Sequence, residues 1–332
     1  MSDLAATSGL DAHVLAPSFP GAPAEEVLEG VPVRRFRYAP GALEVLAYGR
    51  GLPANLRRPQ GAVFLPSFLV GFRRAARREV ERLRPDVVHA HWWVPSGLVG
   101  GGLGVPLVVT MHGSDAHLAA RPGMRRIARW VLDRADAVGG VSEAVCASRP
   151  GTELLPMPVL MPAAGPWSPP PAPPIRLVAV GRNAPEKGFD VLLEAIAHVR
   201  SRGIDVQLDL YGQGTERAGG HGPVDRRVIA TALAGAHAMV VPSRREGLGL
   251  VAAEALAVGC PVIASATGGL VELVEPGADG VLVPPGDAVA LADAIAALPT
   301  GRPAARLVAR HRPEVVAARH LAVYERVSGR RS

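Results

Sequence analysis

Two cations and two carboxylates in the second half of the chain have the types and spacing to hold a phosphorylated, hydroxyl-rich ligand. Arg182 and Lys187 stand five apart in GRNAPEKG, a loop bounded by Gly181 and Gly188. The apolar run IRLVAV precedes it and the amphipathic stretch FDVLLEAIAHV follows, so the loop joins a strand to a helix start. Two cations converging above a helix N-terminus can neutralise a diphosphate and stabilise a leaving nucleoside diphosphate. The carboxylates lie in AMVVPSRREGLGLVAAEALAVGCPVIASATGGLVE, residues 238–272. Here a β-branched run meets the turn Glu246-Gly247-Leu248-Gly249, and a helix begins at Leu250. The turn and the helix start present free backbone N–H groups and the positive end of a dipole, which suits a phosphate. Glu254 then sits about one helical turn in. A carboxylate beside an anion site is not drawn to the anion; it is placed to accept hydrogen bonds from sugar or ribose hydroxyls. The spacing of Glu246 and Glu254 alone also fits an ordinary βαβ unit with two solvated charges. The flanking PS, G-x-G and GG favour the functional reading.

Strands and helices must position these loops. In the first half, AHVLAP and GVPVRRFRYAP read as strands, the former after the tail of a first helix. PDVVHAHWW reads as a buried strand ending in His89, His91 and two tryptophans. PLVVTMHGSD is the next, ending in His112-Gly113-Ser114-Asp115. Imidazoles at the carboxyl ends of strands lie where open α/β sheets place their ligands. Alternation puts His89 and His91 on one face; with no third ligand evident, no metal site is expected. His112 is the stronger candidate, with backbone capping as its structural alternative. The stretch 72–84, FRRAARREVERLR, reads as a helix with a basic face. Such a face can dock on an anionic membrane or simply be solvated, and its few, small apolar residues favour the solvated helix. ARWVLDRADAVGGVSEAV gives a helix, a strand and Ser142 as the N-cap of another helix. PMPVLMPAAGPWSPPPAPP, residues 156–174, is Pro-rich and marks the interdomain linker. VQLDLYGQG and DGVLVPP read as strands, and PEVVAARHLAVYERV as a terminal helix.

A chain of 332 residues with 48% hydrophobic and 20% charged residues is that of a folded, two-domain protein. The net charge of +6 is compatible with anionic ligands without selecting one. Cys146 and Cys260 sit in apolar settings, as buried free thiols of a cytoplasmic protein would. The N-terminus lacks the basic start and long apolar core of a signal peptide. Residues 92–111 are uncharged, but Pro95, Pro106 and five glycines break them into a short helix and a strand, so no transmembrane segment is read. No G-x-G-x-x-G follows a first strand, which argues against a Rossmann oxidoreductase.

The donor-loop sequences resemble the signature of the family-4 retaining glycosyltransferases (glycosyl transferase group 1) of the GT-B fold. Two glutamates separated by seven residues, the G-R-x-x-x-x-K-G loop, VVTMHGSD and A-D-x-V-x-x-V-S all match that family's wording, over nearly the whole chain. The resemblance implies an α/β protein of two Rossmann-like domains facing a cleft. The first would span 1–160, a linker 161–174 and the donor-binding domain 175–312, with a C-terminal helix 313–328 crossing back. It implies metal-independent, retaining hexosyl transfer from a nucleoside-diphosphate sugar to a glycan, lipid or small-molecule acceptor. Arg182, Lys187 and Gly181 would hold the diphosphate, with Gly247, Gly249 and Leu250 at the helix start. Glu246 would bind donor-sugar hydroxyls, Glu254 the ribose diol, and His112 would lie at the reacting sugar. No cofactor, metal or nucleic acid is implied, and the expected location is cytoplasmic, with a peripheral, weak contact at the inner membrane face as a variant. Two departures stand out. The family's first strand and Gly-rich loop are not found before AHVLAP, and only Thr215 to His221 stand where a βα unit usually separates the donor glycines. Pro223 and Val224 are then left to contact the base. The rival reading is a catalytically impaired nucleotide-sugar-binding protein of the same fold.

Overall fold

A computed structural model describes residues 9–48, 55, 59–299, 301, 303 and 306–329. The tail of a first helix, expected at the start, lies outside them. Strand β1 (Val14–Pro17) pairs in parallel with β3 (Val31–Phe36), and β2 (Glu25–Leu28) adds antiparallel to β3. Four parallel strands, in sequence order, form a second sheet: β4 (Val88–His91), β5 (Leu107–Met111), β6 (Ala137–Gly140) and β7 (Glu153–Leu154). Among the described residues no strand joins β1 to β4, so these sheets are separate.

The Arg-rich helix α1 (Leu65–Leu83) begins earlier than the expected 72. Its first turns carry Phe68, which meets Phe36 of β3 edge-on at 5.4 Å between ring centroids, and Phe72, which stacks on it at 4.6 Å. This aromatic packing, invisible in the basic half of the helix, recruits LPSFLVG into it. Helices α2 (Ser114–Ala120) and α3 (Pro122–Leu132) follow β5, and α4 (Glu143–Cys146) follows β6 with Ser142 as its N-cap.

The third sheet is wholly parallel, in the order β12-β11-β10-β8-β9, from β8 (Ile175–Val180), β9 (Val206–Tyr211), β10 (Ala238–Val241), β11 (Val262–Ser265) and β12 (Gly280–Val283). β8 carries exposed Arg176 and the edge strand β9 exposed Gln207, but β10 and β11 are wholly buried because helices cover both faces of the sheet. These include α5 (Phe189–Ser201), α6 (Arg226–Ala234), α7 (Leu250–Val258), the single turn α8 (Leu270–Leu273) and α9 (Ala288–Ala297). The chain leaves β8 toward β9, then returns to β10 on β8's other side. The switch point of the sheet, where a ligand crevice opens, therefore lies between β8 and β10. The stretch after β9 makes one 3₁₀ turn, Thr215–Ala218, and an isolated parallel bridge between Tyr211 and Gly222.

The terminal helix α10 (Pro313–Ser328) returns to the second sheet. Val323 and Val327 pack on Val108, Ala137 and Leu155, and the Tyr324 hydroxyl meets His89 Nδ1 at 2.6 Å. Both cysteines are free; Cys260 is buried, and burial pushes its thiol up to about 12. Leu155, 2% exposed, is the centre of the α10 contact. Leu155→Ala is expected to destabilise the fold by about 2–5 kcal/mol, read as a lowered urea midpoint. An unchanged midpoint would contradict this packing.

Candidate active site

The loops after β8 and β10 flank the switch point, and a bidentate ion pair ties them together. Arg244 donates to both carboxylate oxygens of Asp190 at 2.7 and 2.6 Å and to the Pro185 carbonyl at 3.0 Å. Its own N–H donates to Glu186 O. So held, the first loop brings Lys187 Nζ to 2.6 Å from Glu246 Oε2, which also accepts from the Ser243 hydroxyl at 3.1 Å. Lys187 and Glu246 are mostly buried, with side chains 22% and 14% exposed. Lys187 is also the only lysine in the chain, among 36 Lys and Arg residues. Arg182 behaves differently. Half exposed, it pairs with Glu186 at 3.5 Å rather than converging with Lys187.

Gly249, with φ +87°, caps α7 without a side chain, and Leu250 opens the helix as the sequence implies. First-turn N–H groups so capped are open to an anion. Glu254 lies one turn along and faces Arg226 at 3.6 Å, while Arg226 also donates to the Leu160 carbonyl. Burial raises the Glu254 carboxyl above its usual range, with Arg226 opposing. Val224 is half-buried against the core beside α6, and Gly181 packs against Phe189 and the Lys187 stem.

Across the cleft, the donor loop meets the end of β5. A Cβ on Gly247 would lie 2.2 Å from the His112 carbonyl oxygen, and one on Gly113 2.5 Å from Gly247 Cα. Only two glycines permit this approach. Asp115 fixes the strand end by accepting from His112 N–H at 2.7 Å and Trp93 N–H at 3.2 Å. His112 Nε2 meets His91 Nδ1 at 2.9 Å, and His91 stacks on His89 at 4.5 Å. The expected shared face of His89 and His91 is therefore present. Both His89 nitrogens are engaged, by Tyr324 and by Thr110 Oγ1.

The arrangement has relatives. Residues 2–148 match the model described as Glycosyltransferase Family 4, and residues 174–300 that of Glycosyl transferases group 1. A D-inositol 3-phosphate glycosyltransferase of Arthrobacter sp. (strain FB24) is 31% identical over 299 residues, 75% of this chain and 70% of that protein. The chain belongs to the family-4 (group 1) glycosyltransferases. Sucrose-phosphate synthase from Thermosynechococcus elongatus has the same fold at a TM-score of 0.69, with 25% identity, covering 99% of this chain and 89% of that one. The α,α-trehalose 6-phosphate synthase of Burkholderia multivorans gives 0.70 at 14% identity, covering 98% and 93%. The fold is GT-B.

Several residues of this glycosyltransferase's cleft escaped the sequence reading. His91 was weighed only for metal, yet its ring holds His112. Arg226 and Arg244 stood in ordinary polar runs, and Ser243, noted only as part of the flanking PS, had no stated partner; only the folded loops pair them. Asp115 was visible in HGSD without a stated partner.

The histidines have a thermodynamic consequence. Burial holds His112 down to about 4, and burial with neighbouring imidazoles holds His89 well below its ordinary value; burial also lowers His320. His112 is thus uncharged near neutrality. In the unfolded chain these rings titrate at about 6.5. In the folded chain, burial and the neighbouring imidazoles hold His91 lower still, at about 3. From pH 6.5 downward the unfolded state therefore takes up protons that the folded state refuses, and stability keeps falling as pH falls through 4 to about 3. Calorimetric melting is expected to show a lower midpoint at pH 5 than at pH 7. An equal midpoint would contradict the buried, neutral cluster.

Proposed function

We propose that this glycosyltransferase moves a hexosyl group from a nucleoside-diphosphate sugar to an acceptor hydroxyl, with retention and without metal. One observation supports the reading above the others: the Lys187–Glu246 pair at the switch point, pressed against the His112–Gly113 strand end. A cation and a carboxylate neutralising each other at 2.6 Å can be exchanged by one ligand bearing both a diphosphate and hydroxyls. The diphosphate takes Lys187 and the N–H groups at the start of α7. Glu246, released, accepts from sugar hydroxyls, and Glu254 accepts from the ribose diol. Arg182, exposed and only loosely paired, swings to the phosphates. Val224 lies where the base would rest.

The chemical step then needs no carboxylate base. The anomeric C–O bond to the β-phosphate breaks, the acceptor oxygen bonds to the same face, and its proton passes to the departing phosphate oxygen. Lys187 stabilises the charge that develops there, while neutral His112 offers a hydrogen bond rather than a charge. The reading places the acceptor-side domain at 1–160, the linker at 161–174 and the donor domain at 175–312, with 313–328 packed back. A cytoplasmic protein touching an anionic membrane is compatible with α3, whose exposed Ile127 and Trp130 are flanked by Arg125, Arg126 and Arg129. No described helix is long and apolar enough to cross a membrane.

Incubation with UDP- and GDP-sugars, with detection of freed nucleoside diphosphate, tests the activity. Donor binding without release would instead fit a nucleotide-sugar-binding protein. Lys187→Ala is expected to lower kcat about 10²–10³-fold with the fold retained. Lys187→Arg is expected to recover little, because a planar guanidinium does not fill the place of a compact ammonium. Near-normal turnover of the alanine variant would sink the assignment. Activity is also expected to survive EDTA, since Lys187 and Arg182 supply the positive charge a bridging metal would give. Loss with chelator and recovery with Mg²⁺ or Mn²⁺ would refute it.

A further inference from the structure

Glu272, three residues beyond Gly268-Gly269, has no place in the donor contacts above, yet its carboxylate makes the most direct polar bridge across the cleft. Oε2 accepts from Glu143 N–H at 2.8 Å and Oε1 from Ala144 N–H at 2.7 Å. Both N–H groups belong to the first turn of α4, on the far side of the cleft, where a carboxylate is well matched. Beside it, the Ser142 hydroxyl donates to the Gly247 carbonyl at 2.7 Å. Glu272 is 16% exposed, so this is a sheltered contact.

The same residue is tied to the donor loop and to the chain crossover. A Cβ on Gly268 would lie 1.8 Å from the Glu246 carbonyl oxygen, and one on Gly269 2.5 Å from that of Leu248. The two glycines are thus the floor on which the donor loop rests, and α8, which carries Glu272, starts directly from that floor. On its other side, Arg310 donates to the Glu272 carbonyl at 2.9 Å. The next residue, His311, pairs with the linker through Met157 O and through its own carbonyl to Val159 N–H. Loop, far wall and crossover therefore meet around the short helix α8, with the Glu272 carboxylate facing α4 and its carbonyl facing Arg310.

We propose that Glu272 is a positioning residue that latches the two domains together in the transfer-competent state and passes the setting of the donor loop to the acceptor side. The proposal rests on the glycosyl-transfer reading. A shift of Glu246–Leu248 on binding the diphosphate moves the Gly268-Gly269 floor and with it the carboxylate relative to α4. The latch forms where both loops are in register, and it holds His112 against Gly247.

The test compares wild type with Glu272→Ala, Glu272→Gln, Glu272→Asp and, as an independent break of the same bridge, Ser142→Ala. Three quantities are measured: affinity for UDP and GDP by calorimetry, turnover with nucleotide sugars, and radius of gyration by solution X-ray scattering with and without nucleotide. For Glu272→Ala and Glu272→Gln the expected result is nucleotide affinity within about twofold of wild type, kcat down about tenfold or more, and a larger radius in the presence of nucleotide. Gln fails because its amide presents N–H toward the α4 donors, while Asp recovers part of kcat by restoring an acceptor pair. Ser142→Ala shifts kcat and radius in the same direction. Wild-type kcat in Glu272→Gln, or affinity and kcat falling together with an unchanged radius, would overturn the latch and leave a structural contact. If the wild-type protein frees no nucleoside diphosphate from any sugar, the transfer reading fails. The scattering comparison with nucleotide still decides whether Glu272 closes the cleft.

Discussion

The close passage of two backbones, Gly113 against Gly247, is the constraint on which the cleft depends. At that distance no side chain fits, so the end of β5 and the donor loop after β10 come together only as bare main chain. Everything nearby serves the approach. Asp115 holds the first strand end from below, Gly268 and Gly269 bear the donor loop from behind, and Ser142 takes hold of the Gly247 carbonyl.

Within the crevice, charge is stored as a pair. The single lysine of an otherwise arginine-based chain faces the loop glutamate, with Ser243 completing the glutamate's hydrogen bonds. Both groups are removed from bulk solvent, and each would be costly to leave alone. Mutual neutralisation at 2.6 Å offsets that cost. Arg244 and Asp190 form a separate pair that ties the two loops together beside it.

The chain crosses between its two halves more than once. Helix α10 comes in sequence after the third sheet but packs on the second, and His311 just before it hydrogen-bonds Met157 and Val159. The first-half sheets are less unified. β1 and β4 each lack a second partner among the described strands, and aromatic packing by Phe36, Phe68 and Phe72 consolidates the smaller sheet instead.

Much of this was legible in the sequence because it is local. Apolar runs with glycine ends gave β8, β10 and β11; Leu250 as the start of α7 and Ser142 as a cap followed from turn and helix chemistry; strand alternation put His89 and His91 on one face. The family resemblance followed from the same short motifs. Tertiary structure alone decided the pairings between distant residues. Nothing in GRNAPEKG says that Lys187 meets Glu246 while Arg182 turns to Glu186, because that depends on the order in which β8 and β10 lie in the sheet. Nothing in GGLVE says that Glu272 reaches the start of α4, since a carboxylate's partner there belongs to another sheet, and main-chain N–H groups carry no side-chain signature. Sequence records which groups are present and how they are spaced along one element; hydrogen bonds across a cleft depend on distances that only the packed chain sets.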